Sequence, residues 1–509
     1  MVGGNFSGPS DLGLDSGLQP DQRRAAQLAR SAHIAAQLDR HSAEPLYRQL
    51  ARTLRERIAE GALRVGDKLP PSRVLAAQLG VSRMCVVNAY AELLNEGLLA
   101  ASPGRGTFVA SAFGAAPENS ALPSIAANPS AGTLPADSVI AFSGGAPAEE
   151  FLPVAAIRRA IEAVLERDGA AAVAYEETEG YPPLRAAVAQ HLASLGIRTA
   201  AENVLITGGC QQALDLAVQA LLNEGDTLLT TNPTYLGILD IARIRRLRVV
   251  GVPVDAQGLR TELLDSALVA YRPHLIYIAP THHNPTGSVM PLHRRRVLLR
   301  IAAAADVPIL EDGVYHELSY GDEPPPPLKA LDEYGIVVHA NGFSKIVLPG
   351  TRIGYLIVEG GLRARILRVK QAADICTPSL NQRAMHHFLV SGALSGHLDR
   401  VRRACQQRRD AALKAAQRHL PSGTRWSAPS GGVYLWIELP QHGVTAAQLY
   451  PIALQHGVSF AIGSEFFVGE SDPSAAYFIR VNFAQQPPLR IEEGMRRLGA
   501  AWRAASQQL

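Results

Sequence analysis

Asn341-Gly-Phe-Ser-Lys-Ile-Val-Leu-Pro-Gly-Thr-Arg-Ile-Gly354 is the stretch on which the reading of this chain turns. An apolar run, Ile336 to Ala340, leads into a turn carrying Ser344 and Lys345. A second run, Thr351 to Val358, follows a Pro-Gly break, with Arg352 at its start. A lysine held between two strands is positioned rather than free. With a hydroxyl beside it and a guanidinium one short loop away, it suits an imine to an aldehyde cofactor that has a phosphate tail. A solvated loop lysine would look the same in isolation, so the other strand ends have to decide.

From Val139 onward, apolar strand runs alternate with longer helical patterns: 204–207, 227–231, 274–279, 307–310, 336–340 and 351–358. Such alternation predicts an α/β body with a mostly parallel sheet covered on both faces, and function at the strand ends. The runs 432–439, 458–462 and 477–483 predict a second, smaller α+β lobe. The first strand run is followed by Gly208-Gly209-Cys210-Gln211, a small-residue turn opening a helix, where backbone N–H groups and the helix dipole favour an anion. Pro233-Thr234-Tyr235 offers an aromatic platform or a core tyrosine. His282-His283-Asn284-Pro285 presents an amide side chain; without a carboxylate at ligand spacing, the two histidines do not suggest a metal. Asp312 emerges at the end of the next run, with Tyr315 a turn away. A buried carboxylate there needs a cation, which the protonated nitrogen of a pyridine ring would supply.

The N-terminal part is of another kind. Residues 1–40 read as a mobile arm without a clear apolar period. Residues 41–110 open with Leu46, Leu50, Leu54 and Ile58 at every fourth position, an amphipathic helix. Ser72 is placed to cap a second helix stopped by Gly80. Ser82 is placed to cap a third that ends at Gly97 and presents Arg83, Met84, Cys85 and Asn88 outward. A hairpin then carries Arg105 at its tip, a wing on a helix-turn-helix. Between Glu44 and Ala110 there are nine Lys/Arg against six Asp/Glu, which accounts for the whole net charge of +3 and is compatible with nucleic acid. Residues 111–139, with Pro117, Pro123, Pro129 and Pro135 among small residues, read as a linker. The four cysteines are scattered without CxxC spacing, so no disulfide framework or zinc site is expected. No stretch approaches the ~18 apolar residues of a membrane span, and a cytoplasmic protein is expected.

Pro45-Leu46-Tyr47, Gly66-Asp67-Lys68-Leu69-Pro70-Pro71-Ser72-Arg73, Leu79-Gly80-Val81-Ser82-Arg83 and Gly104-Arg105-Gly106-Thr107-Phe108-Val109 resemble a GntR-type winged helix. The resemblance implies DNA contacts from Ser72, Arg73, Ser82 and Arg83, and a wing arginine, Arg105, in the minor groove; Cys85 stands where threonine is usual. Residues 140–509 resemble the fold-type I aminotransferases in the ordered set Gly209/Cys210/Gln211, Tyr235, Asn284, Asp312, Tyr315, Ser344-Lys345, Arg352 and Arg480. That implies pyridoxal 5′-phosphate joined to Lys345, with Asp312 on its ring nitrogen and Asn284 and Tyr315 on its ring hydroxyl. Tyr235 would stack on the ring, and the 209–211 backbone, Ser344 and Arg352 would hold the phosphate. Arg480 would grip a substrate or effector carboxylate, and Tyr175 would reach the phosphate of a second copy in a homodimer. Gly342 departs from the Ser or Thr that commonly adds a phosphate bond. The two parts in this order resemble the MocR subfamily of GntR regulators, which implies a DNA-binding regulator that senses the cofactor or an amino compound. The rival expectation is a working aminotransferase between an amino acid and a 2-oxo acid.

Overall fold

The computed structural model describes residues 38–508 apart from 41, 43, 60–61, 64–66, 97, 103–105, 110–113, 116–138, 146–147, 442 and 470–471. Arg105 and the wing tip, Gly66, Gly97, nearly all of the N-terminal arm and the linker prolines therefore lie outside the described residues. The chain divides after Ala112 into two compact units.

In the first unit the helix Leu46–Ala59 buries Leu50 and Leu54, two positions of its four-residue repeat. The helix Ser72–Leu79 ends on Gly80, whose φ of +64° is the left-handed conformation that glycine adopts without strain. Pro71 takes the N-cap of that helix, so Ser72 is its first residue and caps nothing, contrary to the expectation above. Proline ahead of the first turn serves because the first N–H groups lack helical partners anyway. Ser82 does cap the helix Arg83–Asn95, accepting the N–H of Cys85 at 3.1 Å. Strands β1 (Leu99–Ser102) and β2 (Gly106–Val109) pair antiparallel, and residues 67–69 add to β2 through Leu69 N–H to Thr107 O and Val109 N–H to Asp67 O.

The second unit is built on a mixed sheet. In chain order its strands are β3 (Gly114–Ala115), β5 (Val204–Thr207), β6 (Thr227–Asn232), β7 (Arg248–Asp255), β9 (Leu275–Ile278), β10 (Ile309–Asp312), β11 (Val337–Gly342) and β12 (Gly354–Ile357); in space they run β3-β7-β6-β9-β10-β11-β12-β5. The short strand β8 (Gly258–Leu259) pairs with β7. From β7 to β11 the pairing is parallel, and β12 runs antiparallel to both its neighbours. β7 escapes a reading by apolar runs because Gly251 and Pro253 interrupt it. Within the stretch read as linker, Gly114 and Ala115 instead extend the sheet edge opposite Gly251 and Val250. β12 starts at Gly354 rather than at Thr351, because Pro349–Thr351 forms a helical turn and Arg352 sits at φ +51°. Strands β13 (Arg425–Trp426), β14 (Tyr434–Glu438), β16 (Ala461–Ile462) and β17 (Phe478–Asn482) form the antiparallel sheet of the smaller lobe. Beside it β15 (Val458–Ser459) pairs with β4 (Ile140–Ala141), so the chain around Ile140 folds into that lobe.

Candidate functional site

Parallel strands deliver their C-terminal ends to one edge, and all but one of the side chains singled out in the body meet there. Cys210, Gln211, Tyr235, Asn284, Asp312, Tyr315, Ser344, Lys345, Arg352 and Arg480 all line a cavity of about 280 Å³. Lys345, in the turn after β11, donates from Nζ to Gly145 O at 2.5 Å. Asp312 ends β10, fully enclosed. Its carboxylate accepts from Tyr277 Oη at 2.9 Å, Val314 N–H at 3.2 Å and the Cys210 thiol at 3.7 Å. Burial pushes its carboxyl group above the usual range, and these bonds offset that only in part. Among the described residues Asp312 has no ion pair, so the site holds a carboxylate fit for a cationic ring.

The anion cradle is built from close backbone approaches. Gly209 sits at φ +102°, and a Cβ there would lie 2.5 Å from Arg352 Nη2. A Cβ on Gly354 would lie 2.4 Å from the Gly209 carbonyl carbon, and one on Gly342 would lie 3.3 Å from Cys210 N. A side chain at 342 would therefore crowd the cradle. Arg352 Nη1 donates to Ser344 Oγ at 3.2 Å, keeping hydroxyl and guanidinium together. Gln212 fixes the loop from below, accepting Gly208 N–H at 2.5 Å and donating to Asp374 at 3.0 Å; Asp374 is paired with the buried ammonium of Lys370 at 2.8 Å. Together these groups can hold a phosphate at the start of the helix Cys210–Leu221.

Tyr235 is anchored by its hydroxyl on Gln211 Oε1 at 3.0 Å, while Gln211 donates to Gly237 O. Arg480, on β17, donates to Asn284 Oδ1 and to Ser143 O, each at 2.9 Å, and its buried Nε has no partner. Its guanidinium lies between the rings of Tyr434 and Phe466, 4.1 and 4.8 Å from their centres. The cavity thus presents an amine, a carboxylate for a ring cation, an anion cradle and a guanidinium for a carboxylate, a donor set that fits pyridoxal 5′-phosphate. Tyr175 is not part of it and stands 86% exposed. Tyr277, Tyr434, Gly145 and Gln212 belong to the site but carried no sequence signal, since each reads as an ordinary strand, loop or helix residue. The paired histidines are buried: His283 bonds Thr231 and Thr286, and His282 bonds Ser319. No group of three or more metal-ligating side chains occurs among the described residues.

In the head, Arg73, Ser82, Arg83 and Asn88 are exposed, Met84 is 61% exposed and Cys85 is half-buried. Arg40 donates to Gly80 O at 2.8 Å and so braces the turn ahead of the outward helix. No single helix among the described residues is long and apolar enough to cross a membrane.

Two family models match the chain: "Aminotransferase class I and II" over residues 138–498 and "Bacterial regulatory proteins, gntR family" over residues 46–109. The 2-aminoadipate transaminase of Thermus thermophilus is 36% identical over 366 residues, 71% of this chain and 90% of its own length. The probable rhizopine catabolism regulatory protein MocR of Rhizobium meliloti is 30% identical over 482 residues, 92% of this chain and 96% of its own. Among solved structures, LysN, the α-aminoadipate aminotransferase of Thermus thermophilus complexed with N-(5′-phosphopyridoxyl)-L-leucine, aligns with a TM-score of 0.69 at 35% identity, covering 73% of this chain and 94% of that one. With a gntR-family head preceding a class I and II aminotransferase body, the chain belongs to the MocR group of GntR-type regulators.

Proposed function

We propose that this protein is a transcriptional regulator that binds a double-stranded DNA operator through its head and uses its body to sense pyridoxal 5′-phosphate or an amino compound. The observation that carries the reading is the single cavity in which Lys345, Asp312, Arg352 and Arg480 face one another, in a chain that also bears a helix-turn-helix, which catalysis does not need. Lys345 holds the cofactor's aldehyde carbon, and the bound cofactor supplies an electron sink and a visible absorption band. Asp312 keeps the ring nitrogen protonated and gains the cation it otherwise lacks. Tyr235 supports the ring face; Asn284 and Tyr315 bond the ring hydroxyl. The 209–211 backbone, Ser344 and Arg352 hold the phosphate. Arg480 takes the effector's carboxylate, and exposed Tyr175 reaches the partner subunit's phosphate in a homodimer. On the head, Ser72, Arg73, Ser82 and Arg83 contact the operator, with Arg105 in the minor groove. Reading DNA places this work in the cytoplasm.

The test combines footprinting on the protein's own upstream DNA, with and without pyridoxal phosphate and a panel of amino acids, with Lys345→Ala. Loss of the visible band in that variant and an effector-dependent footprint are expected; a persisting band overturns the cofactor assignment. A second reading, an active aminotransferase, is favoured by the 36% identity to a transaminase and by the full set of site side chains. In it, the freed Lys345 amine also moves the substrate's proton. Robust turnover in a steady-state assay, with no effect of the same compounds on DNA binding, would select that reading over the sensor.

A further inference from the structure

Between Lys345 and Arg480 stands a buried phenol that none of these roles uses. Tyr434, on β14, is 3% exposed. Its oxygen accepts the hydroxyl of Tyr315 at 3.0 Å, with the two rings edge to face at 5.7 Å. The Arg480 guanidinium lies 4.1 Å from its ring centre. Gly145 brings it near the lysine: a Cβ there would lie 3.0 Å from the Tyr434 hydroxyl and 3.4 Å from Lys345 Nζ, so both polar atoms pack against this glycine, whose carbonyl oxygen accepts from the lysine at 2.5 Å. The titratable and charged groups around Tyr434 are Lys345 from the turn after β11, Tyr315 from the turn after β10, Arg480 from β17 and Tyr235 from the turn after β6. Burial opposes ionisation of this phenol, but the cations of Arg480 and Lys345 and the bond from Tyr315 outweigh it and hold the group below the ordinary tyrosine range. Every other buried tyrosine of the cavity is pushed the opposite way. Among the tyrosines lining the cavity, Tyr434 is thus the one whose ionisation its surroundings favour.

Resting on the reading that Lys345 carries the cofactor, we propose that Tyr434 is a positioning residue that keeps a proton on the Lys345 nitrogen by accepting from it, with Arg480 and Tyr315 polarising its oxygen for that task. No bond other than N–H is made or lost; the proton exchanges with solvent as the nitrogen titrates. The role falls to this phenol because a neutral hydroxyl is a weaker acceptor, and the carboxylate that lines the cavity, Asp312, is already committed to Tyr277, Val314 and Cys210.

The test is a pH titration of the visible band in the cofactor-loaded full chain. Tyr434→Phe keeps the ring on Arg480 and removes the acceptor, so the midpoint at which the Lys345 nitrogen loses its proton falls by about one pH unit, a tenfold loss of proton affinity. A midpoint equal to wild type overturns the proposal. A second measurement needs no altered Tyr434: tyrosinate absorbance of the wild-type protein shows one tyrosine ionising ahead of the rest, and Arg480→Met removes that early step. An unchanged tyrosinate curve also overturns the proposal. If wild type itself shows no visible band with the cofactor, the reading of Lys345 fails instead, and the two failures are distinguished.

Discussion

At the scale of the residue, the buried charges set opposing demands. Asp312 is costly while no cation faces it, and useful once one does. Asp312→Asn should therefore raise the melting temperature of the cofactor-free protein while weakening cofactor binding by about 3–5 kcal/mol, more than a hundredfold. Calorimetry of the stripped protein and a cofactor titration check the two signs separately; a lower melting temperature would show that the fold needs the carboxylate, and an unchanged cofactor affinity would detach Asp312 from the cofactor. Buried histidines make a different demand. Burial lowers His282 to about 3 and His283 and His316 to about 4. Their folded pKa values lie below that of about 6.5 in the unfolded chain, so the unfolded state takes up protons first and stability falls as pH drops from about 6.5 towards 4. His191 opposes this weakly, since Glu317 more than offsets its burial and raises its pKa. Urea unfolding of the body between pH 7 and pH 5 should lose more than about 1 kcal/mol per pH unit, and a flat profile would show that these histidines are accessible to protons when folded.

At the scale of the element, the cradle depends on strands that touch without side chains. Gly354 begins β12 against the Gly209–Cys210 backbone, where a Cβ would meet main-chain atoms at 2.4 and 2.6 Å. Gly354→Ala should cost about 1–3 kcal/mol and reduce cofactor affinity more than any exposed substitution on the same lobe, because neither backbone can yield without opening the anion loop. Thermal melts with and without cofactor measure both effects. The sequence showed the loop and the helix it opens, and Arg352 lines the same cavity. It could not show that β12 runs antiparallel between β11 and β5, which is what presses Gly354 and Gly342 onto the cradle. β7 was equally hidden, since Gly251 and Pro253 break its apolar run while pairing with β6 and β3 holds it in the sheet.

At the scale of the whole molecule, two units carry two kinds of recognition. Arg83 and Arg73 project from exposed helical positions, so Arg83→Ala should weaken operator binding by about 1–3 kcal/mol if it reads a base, or flatten the salt dependence by about one unit of slope if it meets a phosphate. Affinity measured at several salt concentrations separates these; no change at any salt would remove the outward helix from the interface. Tyr175, exposed on a single chain, is expected to be covered in a homodimer. Tyr175→Phe should leave sedimentation as a dimer unchanged and loosen the cofactor several-fold, an outcome read by ultracentrifugation and cofactor titration; an unaltered cofactor affinity would detach Tyr175 from the site.

The sequence by itself determined the order of parts and most of the cavity, because strand-end residues such as Lys345, Asp312 and Arg352 sit in local signals: an apolar run, a turn, a polar group. The helix ended by Gly80 and the helix capped by Ser82 were legible for the same reason, since their bonds span only a few residues. Tertiary structure alone decided which ordinary residues joined them. Tyr277 meets Asp312 across 35 positions, and Tyr315 meets Tyr434 across 119. No local pattern encodes a partner so distant; the pairing of β14 with β17 sets Tyr434 beside Arg480, and the packing of the smaller lobe against the sheet edge brings both to the cavity of Lys345, where the field of two cations makes a common core residue unusual.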